Sequence, residues 1–263
     1  FIPIGNRVTS SGSTVSFPFS GNFDGNGYSI SGLNITSIPT GSEFSGLFGC
    51  VSSATIKNLT LVSPRCSAGK TNGALAGLID SSSIKNILIT ANENNDTASI
   101  AGQTSNSTYN NICIIGETNQ KIVSGTSTFN NCYFAYETYD ESINTTSNVS
   151  YLPQSEMLSS GLIWTMQHNN EEDAVEWTYN DLSRQPILNW GKSVCKVDFV
   201  DDSGKTLCNS QFYCKGAMFS SPLVSYDKIY TWSKDGIEYT NEMAINEDTV
   251  LNGTTTNILK GSG

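Results

Sequence analysis

Five short stretches of the chain carry one apolar pattern, and that pattern restricts the fold more than any other feature. They are ISGLNI (Ile30–Ile35), IKNLTL (Ile56–Leu61), IKNILI (Ile84–Ile89), YNNICI (Tyr109–Ile114) and FNNCYF (Phe129–Phe134), with successive copies 26, 28, 25 and 20 residues apart. Aligned, they form three columns of large residues. The first is Ile30, Ile56, Ile84, Tyr109, Phe129; the second Leu33, Leu59, Ile87, Ile112, Cys132; the third Ile35, Leu61, Ile89, Ile114, Phe134. A single copy cannot bury its own apolar side, whereas stacked copies make a continuous core.

A second strip precedes three of the copies without gaps: SGLFGCV (Ser45–Val51), GALAGLI (Gly73–Ile79) and ASIAGQT (Ala98–Thr104). Its apolar column is Leu47, Leu75, Ile100. Gly49, Gly77 and Gly102 form a glycine column, expected at corners where a Cβ would clash or φ must be positive. Two β strips per repeat predict an all-β fold, a parallel β-helix of about five coils with like residues stacked ~4.8 Å apart. The column Gly32, Asn58, Asn86, Asn111, Asn131 falls at a turn. Stacked Asn side chains there predict a ladder of hydrogen bonds along the stack. Ligand binding is the competing reading of these asparagines, and it has the weaker basis.

FIPIGN (Phe1–Asn6), FSGNFDGNGYSISGLNI (Phe19–Ile35), FSGLFGCV (Phe44–Val51) and ATIKNLTL (Ala54–Leu61) together resemble the GLUG-motif repeat of bacterial and protist surface proteins. The resemblance implies a right-handed β-helix over residues 1–137. PQSEMLSSGLIWTMQ (Pro153–Gln167) and EWTYNDLSRQPILNW (Glu176–Trp190) resemble the short helix and returning strand that follow such coils, which makes 138–192 a capping segment. Met157, Leu158, Leu162 and Met166 stand near helical spacing. A helix there would cover the strand edges and apolar core at the end of the stack. The family's Leu-Asn pair is replaced here by Met166–Gln167.

Residues 193–263 read as a separate unit. VCKVDFVDDSGKTL (Val194–Leu207) gives strand, turn and strand about Asp202–Ser203–Gly204, and YTWSKDGIEY (Tyr230–Tyr239) a second Asp-Gly turn. The order resembles the Listeria–Bacteroides (internalin-type) repeat, which implies a small β-grasp-like module serving as a spacer or stalk. Tyr230–Thr231–Trp232 stands where that family has Gly-Trp-Tyr.

Charge excludes several partner classes. Charged residues make up 14% of the chain, and the formal net charge of −10 lies wholly beyond residue 136, because residues 1–136 hold six acids and six bases. An acidic chain with no basic run argues against nucleic acid and anionic membrane surfaces, and no apolar run is long enough to span a bilayer. Phe1 falls inside the repeated pattern, so the chain reads as a mature or excised piece of something longer. The seven cysteines form no Cys-x-x-Cys pair and no Cys/His cluster, which argues against structural zinc. Cys113 and Cys132 fall in opposite-facing columns and are expected to be unpaired, while Cys195 and Cys208 would be neighbours in one hairpin register. Of seven Asn-x-Ser/Thr sequons, that of Asn58 is expected to point inward and stay silent. Asn34, Asn95, Asn106, Asn144, Asn148 and Asn252 remain candidates for N-glycosylation, although a chain so rich in Asn, Ser and Thr produces such triplets by chance.

Catalytic signals are sparse. His168, the single histidine, stands at the expected helix end with no second histidine or positioned nucleophile. Asp80, Asp96 and Glu117 occur singly rather than as the carboxylate pair that polysaccharide hydrolysis uses. Glu171–Glu172–Asp173 reads as a solvated loop, and Trp164, Trp177 and Trp190 as core. DGNGYSIS (Asp24–Ser31) looks like a calcium loop but lacks the bidentate Glu, so Asp24–Gly25–Asn26–Gly27 reads as a turn feeding the first strip. The expectation is an extracellular or cell-surface, non-enzymatic structural or adhesive module that needs no metal or cofactor. Its partners would be neighbouring modules or subunits of the same protein, with host or matrix glycans or proteins beyond them. A glycan-binding or polysaccharide-degrading β-helix is the alternative.

Overall fold

A computed structural model describes residues 1–91, 96–97, 99–116, 123–136, 148–168, 177–180, 185–188, 193–225 and 228–257. The chain is mostly β and divides into two compact units: Phe1–Leu158 with Asn169–Trp177 and Pro186–Trp190, and Ser159–His168 with Thr178–Gln185 and Gly191–Gly263.

The first unit is built on a curled parallel sheet. The strands Thr55–Val62, Ser83–Ala91, Ala101–Gly116, Gly125–Tyr136 and Val149–Pro153 lie side by side in sequence order. Their register sets Ile56, Ile84, Tyr109 and Phe129 in one column, and Leu61, Ile89, Ile114, Phe134 and Tyr151 in another. The first four members of each are buried. Like residues meet face to face: the Tyr109 and Phe129 rings stack with centroids 4.6 Å apart and planes 7° from parallel. A second ladder sets Phe48–Ser52 beside Ala76–Asp80, and that strand beside the start of Ala101–Gly116. Leu47, Leu75 and Ile100 are buried at its head. The short strands Phe44–Ser45 and Thr71–Asn72 add a third parallel pairing that the apolar pattern did not announce.

The glycine column answers to close approach and not to backbone sign. None of Gly49, Gly77 and Gly102 has positive φ. A Cβ on Gly77 would lie 2.6 Å from the Phe44 Cβ and 2.7 Å from the Ser45 nitrogen. One on Gly102 would lie 2.7 Å from the Asn72 nitrogen, and one on Gly49 2.5 Å from the Gly5 oxygen.

The first copy departs from the expected alignment. Phe23, not Ile30, pairs with Ile56, and Ile30 pairs with Leu61. Leu33 and Ile35 belong to a different strip, where Asn34–Ile35 pairs with Arg65–Cys66. The cause is the turn at Gly25–Tyr28. Asn26 (φ 49°) and Gly27 (φ 78°) are both left-handed, and the Tyr28 N–H donates to the Gly25 oxygen at 2.8 Å. That is the two-residue Asn-Gly turn of hairpins, here inserted into a parallel strip. From Asp24 to Ser29 the chain takes five steps where its partner takes three, from Lys57 to Thr60. A count of apolar residues passes over such an insertion. Tyr28, which follows the turn, is exposed as a result.

A second insertion stands at Gly5–Pro18. Ile4 and Phe19 both bridge to the Phe48–Ser52 strand, at Phe48 and Val51. The chain between them leaves as an antiparallel hairpin, Asn6–Ser10 with Ser13–Phe17.

The second unit holds a five-stranded sheet in the order Thr206–Cys214, Val194–Val200, Thr249–Asn257, Lys228–Lys234, Ile237–Tyr239. Val194–Val200 and Thr249–Asn257 are parallel and the other pairings antiparallel. Its core is Val197, Phe199, Trp232, Leu251, Phe219 and Ile245. The 138–192 segment is divided between the two units. Gln154–Met157 stays with the first unit and buries Met157. Ser160–His168 belongs to the second, where Leu162, Ile163 and Met166 are buried and the Gln167 side chain accepts the Val194 N–H at 3.2 Å.

Gly77→Ala should lower stability by roughly 1–3 kcal/mol, because the methyl must displace the backbone at Phe44–Ser45. Urea denaturation followed by circular dichroism reads this, and an unchanged midpoint would sink the close-approach account.

Candidate functional site

The predicted asparagine column becomes a chain of side-chain hydrogen bonds. Asn58, Asn86, Asn111 and Asn131 all adopt positive φ, between 50° and 59°. Asn tolerates that region better than other side chains with a Cβ. Asn111 Nδ2 donates to Asn86 Oδ1 at 3.2 Å, and Asn86 Nδ2 to Asn58 Oδ1 at 3.0 Å. The buried Trp177 adds its indole N–H to Asn86 Oδ1 at 3.3 Å. Asn131 continues the backbone register. Gly32, aligned with this column by sequence, is not its head. Asp24 is: its Oδ1 accepts Asn58 Nδ2 at 2.9 Å and the Asn26 N–H at 2.8 Å, with the Lys57 ammonium 3.7 Å from Oδ2. The carboxylate that suggested calcium is spent on the ladder and the turn. Burial pushes its pKa up, but the Asn26 N–H, the Asn58 amide and the Lys57 charge outweigh that, and the net shift is downward.

A second polar row, unrecognised in the sequence, runs up another corner. Ser53, Ser81 and Asn106 share left-handed φ of 53°, 47° and 49°. Just after them, the N–H of Ala54 donates to Ser82 Oγ, that of Ser82 to Ser107 Oγ, and that of Ser107 to Ser127 Oγ, at 3.1–3.2 Å. The Ser82 and Ser107 hydroxyls donate in turn to the Asp80 and Ser105 carbonyls. Each row serine stands two places before a first-column residue (Ile84, Tyr109, Phe129), a fixed offset that aligned columns contain but serine abundance conceals.

The groove of the first unit lies between the inserted hairpin and the second ladder. Its floor is two rows of side chains across three strands: Cys50, Leu78 and Gln103, then Ser52, Asp80 and Ser105. Its wall carries Arg7, Thr14, Ser16 and Pro18, and its volume is about 430 Å³. Arg7 and Ser16 are cross-strand partners on the hairpin. The Asp80 carboxylate accepts the Ser105 hydroxyl at 2.5 Å and the Ser81 hydroxyl at 3.1 Å. Burial pushes the Cys50 thiol up to about 11, with Arg7 pulling the other way. It is therefore protonated at neutral pH and a poor nucleophile.

The other singled-out residues do not join this groove. Asp96 is buried and takes the Arg65 Nε–H at 3.1 Å. His168 has both ring nitrogens engaged, Nδ1 with the Trp164 carbonyl at 2.8 Å and Nε2 with Asp248 at 3.2 Å. Asp248 also accepts the Trp164 indole N–H and the Lys196 N–H, so this is a clasp between helix and sheet in the second unit. No disulfide joins any of the seven cysteines. The expected Cys195–Cys208 neighbourhood does not form: Cys195 faces Tyr213, while a bulge between Val197 and Phe199 sets Cys208 opposite Phe199. Asn34, Asn106, Asn148 and Asn252 are exposed and Asn58 is buried. Asn95, Asn144, Glu117, Glu171, Glu172, Asp173 and Trp190 lie outside the described residues. Among the described residues no group of three or more His, Cys, Asp or Glu could hold a metal ion, and no helix is long and apolar enough to cross a membrane. Comparison with family models, with curated proteins and with solved structures finds no match for this chain.

Asn86→Ala should cost about 2–4 kcal/mol, since it strands the buried polar atoms of Asn58, Asn111 and Trp177. Asn130→Ala, in the exposed Asn110–Asn130 pair, should stay within roughly 0.5 kcal/mol. Equal losses in chemical denaturation would contradict the buried-ladder account. Asp24 makes stability acid-sensitive. Its folded pKa is lowered, so its contribution is present above the ordinary value of 3.8 and is lost as pH falls through the folded value. Wild type should exceed Asp24→Asn in denaturation midpoint at neutral pH, with the gap closing below about pH 4.

Proposed function

We propose that this chain is a non-enzymatic structural or adhesive module of an extracellular, repeat-built surface protein. In this reading the first unit is a right-handed parallel β-helix of about five coils akin to GLUG-motif proteins, and the second a β-grasp-like spacer of the internalin-repeat kind. The observation that carries it is the in-register stacking of repeats, fastened by two buried polar rows that run along the stack. Such rows add rigidity without requiring substrate, metal or cofactor, which suits spacing and display. A parallel crossover between neighbouring strands is right-handed in nearly all proteins, which supports the assigned hand. Its partners are neighbouring modules or subunits of the same protein.

The groove favours binding over hydrolysis as the second reading, because among the described residues Asp80 is the one carboxylate lining it and two-carboxylate hydrolysis needs a pair. Purified chain should release no reducing or unsaturated ends from acidic polysaccharides above a buffer blank, and turnover above that blank would overturn the non-enzymatic reading. Native material should appear by electron microscopy as elongated or polymeric particles, and isolated compact monomers would overturn the role in a larger fibre.

A further inference from the structure

We infer that the groove between the Asn6–Phe17 hairpin and the second strand ladder is a binding site for an acidic sugar, a ring that bears one carboxylate and several hydroxyls. The inference goes beyond the structural role and does not depend on it, because the groove belongs to the first unit alone.

Four polar groups of the lining are left for a ligand. The Arg7 guanidinium, the Gln103 amide and the Ser16 and Ser52 hydroxyls make no side-chain hydrogen bond or ion pair among the described residues. A guanidinium offers five donors in a planar fork that matches a carboxylate. Asp80 is different. Its carboxylate is oriented by the Ser81 and Ser105 hydroxyls, and an ionised carboxylate has about four acceptor positions. Two remain for ligand hydroxyls.

The arrangement selects by chemistry. An anion alone would satisfy Arg7 but leave Asp80 repelling it from the floor. A neutral sugar would use Asp80, Gln103 and Ser16 but leave Arg7 idle. A molecule with the anionic group at one end and hydroxyls along the other answers both. Leu78, between Cys50 and Gln103 in the floor, offers an apolar patch for the C–H face of a ring. Floor residues repeat at the strand spacing of ~4.8 Å, so the site is a track across strands rather than a point. A volume of about 430 Å³ lies in the lower part of the range for small-molecule sites, ~300–1,000 Å³. The hairpin wall exists because Gly5 lets the chain leave the ladder: a Cβ there would sit 2.5 Å from both the Cys50 oxygen and the Phe19 nitrogen.

The test titrates the whole purified chain with glucuronate, glucose, acetate and alanine, read by backbone amide shifts and by saturation-transfer NMR. Glucuronate should shift amides of Arg7, Asp80 and Gln103 with a Kd near or below the millimolar range. Glucose and acetate should bind at least about tenfold more weakly, a difference of ~1.4 kcal/mol. Arg7→Gln and, separately, Gln103→Ala should each weaken glucuronate several-fold while the circular dichroism spectrum stays that of the wild type. Both residues are in surface positions outside the core, so loss of fold does not confound them. Shifts elsewhere than the groove, no saturation transfer from glucuronate, acetate or alanine binding as well as glucuronate, or full affinity in Arg7→Gln would overturn the assignment.

Discussion

Parallel strands stacked in register bring the same position of every repeat to within a strand spacing of its counterpart, and the interior of the first unit follows from that. An apolar residue then finds an apolar neighbour above and below, as Tyr109 finds Phe129. A polar residue must find one too, because a buried amide without a partner costs more than the bond it could have made. The Asn row and the Ser row are the two solutions visible here. In the first, one side chain is both donor and acceptor and passes the bond on. In the second, a hydroxyl accepts from the neighbouring repeat and donates within its own, so each serine also closes its own corner.

The same constraint explains why parts of the fold could be read directly. The columns from Ile56 onward, the Asn row and the close-approach glycines each depend on a residue type recurring at one position, and recurrence survives in the sequence. The features that stayed hidden break or dilute recurrence. Asn26–Gly27 adds length without adding apolar residues, so apolar spacing sets Ile30 where Phe23 stands and gives no sign that Asp24 neighbours Asn58. The serines were in plain sight but could not be told from the many others. In the second unit a bulge between Val197 and Phe199 moved Cys208 off the register that simple alternation supplies. The groove was hidden for another reason. Its floor comes from side chains on the outward side of three separate repeats, and its wall from an insertion that belongs to none of them.

The two units differ in how a disturbance would be felt. In the second, Trp232 lies over Gly253, where a Cβ would come within 2.6 Å of the indole ring, and a single core gathers Phe199, Phe219 and Leu251 around it. Damage there reaches the whole sheet. In the first, each repeat touches mainly those next to it, so a defect is expected to weaken its own neighbourhood before the rest.

The Asn row also has an orientation. Asn111, Asn86 and Asn58 all donate in one direction, toward Asp24. Three amide groups aligned this way act as a short row of dipoles whose positive ends face the strand Asn22–Asp24, much as peptide dipoles accumulate along a helix. A negative charge is the favoured terminus for such a row, and an acceptor-only group is the one that can end it. Asp24 is both. The row of amides thus has a polarity of its own, and the chain closes its positive end with the side chain whose charge opposes it.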